Sequence, residues 1–371
     1  MQTKESLSSF IRIGNSFFLS IIYKIISFSL RVFIFCLIIR YMAVIIPVAG
    51  GKGGVGKSVL SLNLSVAMAA QCKHIILCDL DFGGANLHTM LGLKNNQEGL
   101  GHFINKLETD MNALVQATGI PNLHFIAGDC LFPGAANMDF FTKQKIMREL
   151  AKLECDYLLL DLGAGSAHNQ VDFFIMTNNG LLIVTPEITS ILNAYSFLKS
   201  VVYRFCYRSY SPKSDARTIL KNAILQRLEG RDYSFEQILG VIDDALPGEG
   251  KRVYESLRQL RPRVIMNMGR AMQNTEMGYR LQQLAHNKLS IDIEFIGYMP
   301  YDECVQYAIA QRQPAAVAYP DSAFSRALQP VVQRIYAGGS GILPSLQDAP
   351  EDFADIVKEF YENKASKGQH S

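Results

Sequence analysis

No two of the seven cysteines (Cys36, Cys72, Cys78, Cys130, Cys155, Cys206 and Cys304) form a C-x-x-C pair, and their number is odd. That excludes a zinc ribbon and a disulfide framework, and leaves reduced thiols packed as small hydrophobes. The seven histidines lack metal-ligand spacing and read as structural or exposed. Neither sign of charge is in excess: 36 cations and 34 acids give a net charge of +2. No strong polyanion partner is implied. The balance is uneven along the chain. Residues 1–41 hold five cations against one acid, a net of +4, so residues 42–371 carry about −2, which is +2 less +4. A mildly acidic body speaks against general nucleic-acid binding. Internal repeats are absent, as are long low-complexity stretches beyond residue 41. What is present is an ordinary globular composition, 49% hydrophobic and 19% charged over 371 residues. It suits one large α/β domain with additions, or two domains.

The first forty residues stand apart. Residues 17–39 form an apolar run long enough to span a bilayer. Lys24 and Arg31 lie inside it, and each mid-span cation costs about 2.5–3.5 kcal/mol of insertion. Cations flank both ends, so charge bias gives no orientation, and no small-residue cleavage site follows. Strand-like sequence begins just after Met42. The expectation is that Met42 is the working start and 1–41 a hydrophobic leader; a membrane segment is the alternative.

Short apolar runs at 43–49, 74–78, 123–127, 157–160, 181–185, 263–266 and 295–298 read as buried strands. Helical stretches such as 58–70 separate most of them. The fold class is therefore α/β, a mostly parallel twisted sheet with helices on both faces, within a domain at 42–340. Ligands bind such sheets beyond the carboxyl ends of the strands. Residues 203–262 break the rhythm and read as an inserted helical subdomain, with Ser234 and Gln237 placed for a capping box. Residues 341–371 form an acidic C-terminal tail. Phe353, Ile356, Val357 and Phe360 have helical spacing there, among Glu351, Asp352, Asp355, Glu359 and Glu362.

Gly51-Lys52-Gly53-Gly54-Val55-Gly56-Lys57-Ser58 fits G-x-x-x-x-G-K-[ST], with a strand before it and a helix after it. Glycines let successive N–H groups curl around phosphate oxygens, and the following helix turns its positive end to the same anion. Lys57 reaches the β- and γ-phosphates, and the Ser58 hydroxyl is placed to ligate Mg²⁺. Lys52 is a second lysine inside the loop, poorly placed for its own phosphates and suited to a neighbour across a dimer. Asp79 and Asp81 flank Leu80 after one strand; one is read as orienting water and the other as supporting the metal. Asp161 ends another strand and fits the acid that supports Mg²⁺. Gly163-Ala164-Gly165 follows as a segment able to sense a γ-phosphate.

These residues resemble a known family. KGGVGKS with Lys52 is similar to the deviant Walker A motif of the MinD/ParA ATPases. Residues 79–93 (DLDFGGANLHTMLGL) resemble the segment shared by MinD and the flagellar regulator FlhG. Residues 185–199 (TPEITSILNAYSFLK) resemble a further FlhG stretch, with Ile188 and Asn193 where that stretch usually has Pro and Asp. The resemblance implies an ATP-driven switch in which two subunits join face to face, Lys52 of each touching the other's phosphates. By position, it implies that Asp81 orients the hydrolytic water, that Asp161 supports Mg²⁺, and that Asn267 and Pro300 lie near the adenine. The implied cofactors are ATP and Mg²⁺. The implied partners are a second copy of the chain and a protein activator or cargo of unknown identity. The implied task is spatial regulation of a cell structure, flagellar or division-site; a ParA-like partitioning ATPase is the alternative. The expected place is the cytoplasm. The tail is acidic where the family's is basic, so anionic lipid would repel it; a helix that docks on the body or on a partner is the expectation, and peripheral attachment to the inner face of the membrane is the alternative.

Overall fold

The computed structural model describes residues 43–82, 84–94, 98–128, 138, 140–228, 234–270 and 275–338. The expected leader at 1–41 and the tail at 341–371 lie outside the described residues.

Eight strands form one sheet: β1 (Val44–Gly50), β2 (Ile75–Leu80), β3 (Gln116–Ala117), β4 (Leu123–Ile126), β5 (Tyr157–Leu162), β6 (Leu181–Val184), β7 (Arg263–Gly269) and β8 (Glu294–Pro300). Their spatial order is β3-β4-β2-β5-β1-β6-β7-β8. Every pair is parallel except β3–β4. The main helices are α1 (Lys57–Ala69), α2 (Phe140–Leu150), α3 (His168–Phe174), α4 (Ile188–Arg208), α5 (Asp215–Leu228), α6 (Phe235–Ala245), α7 (Glu249–Leu257), α8 (Thr275–Leu289) and α9 (Ala323–Ala337).

The strands are apolar on both faces because both faces are covered. Alternate residues divide between two cores. Ile46 and Val48 of β1 pack with Leu60 and Leu64 of α1 and with Leu328 and Val332 of α9. Ile45 and Ala49 face the other way, into a core shared by α2, α3, α4 and α8. Helices α5 to α7 do not stand off as a separate body. Their Leu220, Ile238, Ile242 and Val253 join the same core as Phe197 and Val201 of α4. The capping box of α6 is formed: Ser234 Oγ accepts from the Gln237 N–H at 3.3 Å, and Gln237 Oε1 accepts from the Ser234 N–H at 2.8 Å. Among the described residues no helix is long and apolar enough to cross a membrane.

The structure departs from the sequence reading in detail. Strands β2 and β5 run through Asp79 and Asp161 instead of stopping before them, and the two acids are register partners. Strand β3, two residues long and antiparallel, carries too little sequence to signal itself.

Candidate nucleotide-binding site

Strand β1 lies at the centre, with β5 on one side and β6 on the other. The chain builds β2 to β5 on one side of β1 and then crosses it to β6 on the other, so the crevice above its carboxyl end is the switch point where ligands bind. The phosphate loop fills that position. Gly56 caps α1 with φ 79°, a left-handed conformation that glycine adopts without strain. A Cβ there would also overlap the Asn267 side-chain amide. Gly51 is fixed by a different constraint: a Cβ would run into the backbone of Asn193 and Ala194 on α4. No acid sits in the first turn of α1, so its positive end is left for an anion.

Lys57 is buried beneath the loop. Its Nζ donates to Asp161 Oδ1 at 2.9 Å and to Ser58 Oγ at 3.3 Å. An ammonium has three N–H bonds, so one remains for a phosphate oxygen. Ser61 Oγ also donates to Asp161 Oδ1, at 2.8 Å. The other oxygen, Asp161 Oδ2, is buried and has no partner among the described residues. Asp79 lies beside it, also buried, taking the Asp81 N–H on Oδ1 at 3.0 Å and the Leu87 N–H on Oδ2 at 3.4 Å. Burial, and then the charge of Asp161, push the Asp79 carboxyl up to about 7; the two N–H groups and Lys57 act against that shift. An orphaned carboxylate oxygen next to a second buried acid, under a serine hydroxyl, fits a divalent cation. Among the described residues no group of three His, Cys, Asp or Glu is arranged to hold a metal. Mg²⁺ binds through few protein ligands together with phosphates and water, so a site of that kind needs no three-ligand protein cage.

Asp81 is half-buried at the rim. Its carboxylate lies over Gly163, where a Cβ would meet Asp81 Oδ1 at 3.3 Å. This brings Asp81 to the Gly163-Ala164-Gly165 segment, whose Gly165 N–H donates to Gly50 O at 3.3 Å. Asn267 Nδ2 donates to Val55 O at 2.8 Å, so this side chain braces the loop. Pro300 ends β8 one strand further out, in register with Gly269. The neighbouring Tyr301 carries the Arg270 guanidinium over its ring at 4.0 Å.

Lys52 does not reach into its own loop. Its Nζ donates to Glu187 Oε2 at 2.7 Å and to Thr189 Oγ1 at 3.0 Å, at the start of α4. Glu187, Thr189 and Ser61 are site residues that sequence reasoning missed. Glu187 and Thr189 lie 135 and 137 residues from Lys52, and no local pattern joins them to it.

The comparisons with known proteins agree with this geometry. A family model described as "ParA: NUBPL iron-transfer P-loop NTPase" matches residues 41–199. The antiactivator FleN of Pseudomonas aeruginosa is 24% identical over 292 residues, covering 78% of this chain and 85% of its own. The septum site-determining protein MinD of Helicobacter pylori is 30% identical over 212 residues, 54% of this chain and 75% of its own. Among solved structures, MinD of Pyrococcus horikoshii complexed with Mg-ADP superposes with a TM-score of 0.53 at 18% identity. That superposition covers 81% of this chain and 100% of the other, and shows a common fold. With the phosphate loop, its second lysine and the acidic strand ends all in place, the chain belongs to the MinD/ParA family of P-loop ATPases, on the FlhG/MinD branch.

Proposed function

We propose that this chain is an ATP-dependent dimerisation switch that hydrolyses ATP slowly and serves the spatial regulation of a cell structure, flagellar placement being the specific reading. One observation carries it: the two lysines of the loop are separated in role. Lys57 lies buried on Asp161 within the loop, whereas Lys52 lies on the rim, held by Glu187 and Thr189. A rim lysine has no use in a monomeric phosphate site. It is suited to the phosphates of a facing subunit, an ion pair being exchangeable at little cost near the surface.

The loop N–H groups and the α1 terminus hold the phosphates. Lys57 keeps Asp161 as a partner while offering a proton to the β- and γ-oxygens. Ser58, Asp79 and Asp161 would hold Mg²⁺, which supplies neutralisation of the phosphate charge that develops during transfer. Asp81, at the rim beside Gly163, orients the attacking water. Asn267 keeps the loop in shape from the adenine side.

Light scattering of the chain without nucleotide, with ADP and with ATP tests the reading, using Asp81→Ala to block turnover. A dimer is expected with ATP alone, and Lys52→Ala should abolish it. A monomer under all conditions would overturn the switch.

A further inference from the structure

Away from the nucleotide site, two cavities of about 530 and 480 Å³ share Arg208 and Ser209 and form one groove across the end of α4. It opens where α5, the first of the inserted helices, joins the body. Its floor is apolar: Met147 of α2, Ile175 and Met176 just past α3, and Phe205 of α4 are each only half-buried. Its walls carry Arg148, Arg204, Arg208 and Arg217. Among the described residues no carboxylate lines either cavity. Asp172 takes Arg204 on both oxygens, at 2.7 and 3.0 Å, and Lys143 as well, so little of its charge is left for the other arginines. Arg208 reaches it only at 3.5 Å.

The remaining guanidinium groups are only partly used. Arg148 spends Nε on Gln144 O. Arg217 spends Nε on Tyr207 O and lays its plane over the Tyr207 ring at 4.1 Å. The Nη donors of these two have no partner among the described residues, and a free guanidinium fork matches a carboxylate in two parallel hydrogen bonds. Over 203–217 the sequence holds four cations against one acid, although the body beyond residue 41 is slightly negative. Positive charge is thus concentrated at this recess. An arginine rim alone would suit any anion, but the floor narrows the choice. A bilayer is flat and cannot fill a recess. A nucleic acid offers phosphates but no aliphatic groups for Met147, Ile175 and Met176. A peptide brings both, apolar side chains for the floor and carboxylates for the rim, and methionines adapt to the apolar shapes they meet.

We infer that the groove between α2 and the end of α4 is a docking surface for a partner protein, held by an acidic segment with apolar anchors. The anchors lie on Met147, Ile175, Met176 and Phe205, and Asp or Glu carboxylates lie on Arg148, Arg208 and Arg217. The inference uses no residue of the nucleotide site, so it stands or falls apart from the ATP switch.

A phage-displayed library of random dodecapeptides, selected on the full chain, tests it. The enriched peptides should carry Asp or Glu beside Leu, Ile or Phe. Synthetic copies should bind the native chain and lose at least about tenfold in affinity for Arg148→Glu/Arg208→Glu, two exposed positions where like charges would then face each other. Lysine in place of the peptides' acids should abolish binding to the native chain and recover it on that double variant. Arg148→Glu alone keeps the test readable should the double variant melt early. Enriched peptides without acids, acidic peptides bound equally well by the variants, or a selection that enriches nothing would overturn the inference. So would binding of phosphatidylglycerol vesicles or of a DNA duplex through the same arginines in place of peptide, which would assign the groove to lipid or to nucleic acid.

Discussion

At the scale of single residues, the phosphate site rests on a few side chains with separable tasks. Lys57 is the buried cation of the loop, so Lys57→Ala should abolish ATP binding, as read by titration with a fluorescent nucleotide. Asp81 is half-buried, with its carboxylate beside Gly163. Asp81→Ala is therefore expected to bind ATP with near-native affinity while turnover falls at least about 100-fold, the usual scale for losing a group that positions a reactant. Normal hydrolysis in that variant would remove Asp81 from its assigned role. The glycines separate in the same way. Gly51→Ala would force a Cβ into the α4 backbone at Asn193, whereas nothing lies within 4 Å of a Cβ on Gly53. Thermal unfolding should show Gly51→Ala destabilised by about 1–3 kcal/mol. Gly53→Ala should stay within about 0.5 kcal/mol of the native chain. Equal effects at the two positions would mean that α4 does not lean on the loop as described.

At the scale of elements, Asp172 ties three helices together. It sits buried on α3, bonded by Lys143 of α2 and by Arg204 of α4 at 2.7 and 3.0 Å. Burial pushes its carboxyl up, but the hydrogen bonds and charges of Arg204 and Lys143 outweigh burial and hold it below the usual carboxylate range. A group depressed on folding stabilises the native state above its unfolded pKa, near 3.9, and loses that contribution as pH falls through its lower folded value. Urea midpoints should therefore drop between about pH 5 and pH 3, and Asp172→Ala should flatten that drop. At neutral pH the same variant should cost about 3 kcal/mol, because two buried or half-buried cations lose their counter-ion. An unchanged pH profile would mean that the three helices are held by their apolar contacts alone.

Much of this was legible in the sequence, for identifiable reasons. Parallel strands buried on both faces read as plain apolar runs, and seven of the eight appear as such. The phosphate loop is contiguous, so its glycines, Lys57 and Ser58 announce themselves. Strand ends were less legible: a carboxylate normally closes a buried run, yet Asp79 and Asp161 continue their strands because each has hydrogen-bond donors waiting. The partners of Lys52 were not legible at all. Glu187 and Thr189 reach it only through the pairing of β6 with β1, which brings distant segments to one edge of the crevice.

At the scale of the whole molecule, charge decides between rival readings. The body beyond residue 41 carries a net charge of about −2, by subtraction. A partitioning ATPase grips DNA through many phosphate contacts, and its affinity falls steeply with salt. The ATP-loaded chain is expected not to retain DNA on a filter at physiological salt. Retention that weakens steeply as salt rises would favour the partitioning role.

The central position of β1 also has a consequence in time. This strand is made first among those described, yet its two neighbours end at Leu162 and Val184. At about 5–20 residues per second, the 112 residues from Gly50 to Leu162 take on the order of ten seconds to synthesise. Throughout that interval an apolar strand destined for the middle of the sheet has no sheet to enter. The segment that ends as the floor of the phosphate crevice thus begins as an apolar stretch of nascent chain with no strand to pair with.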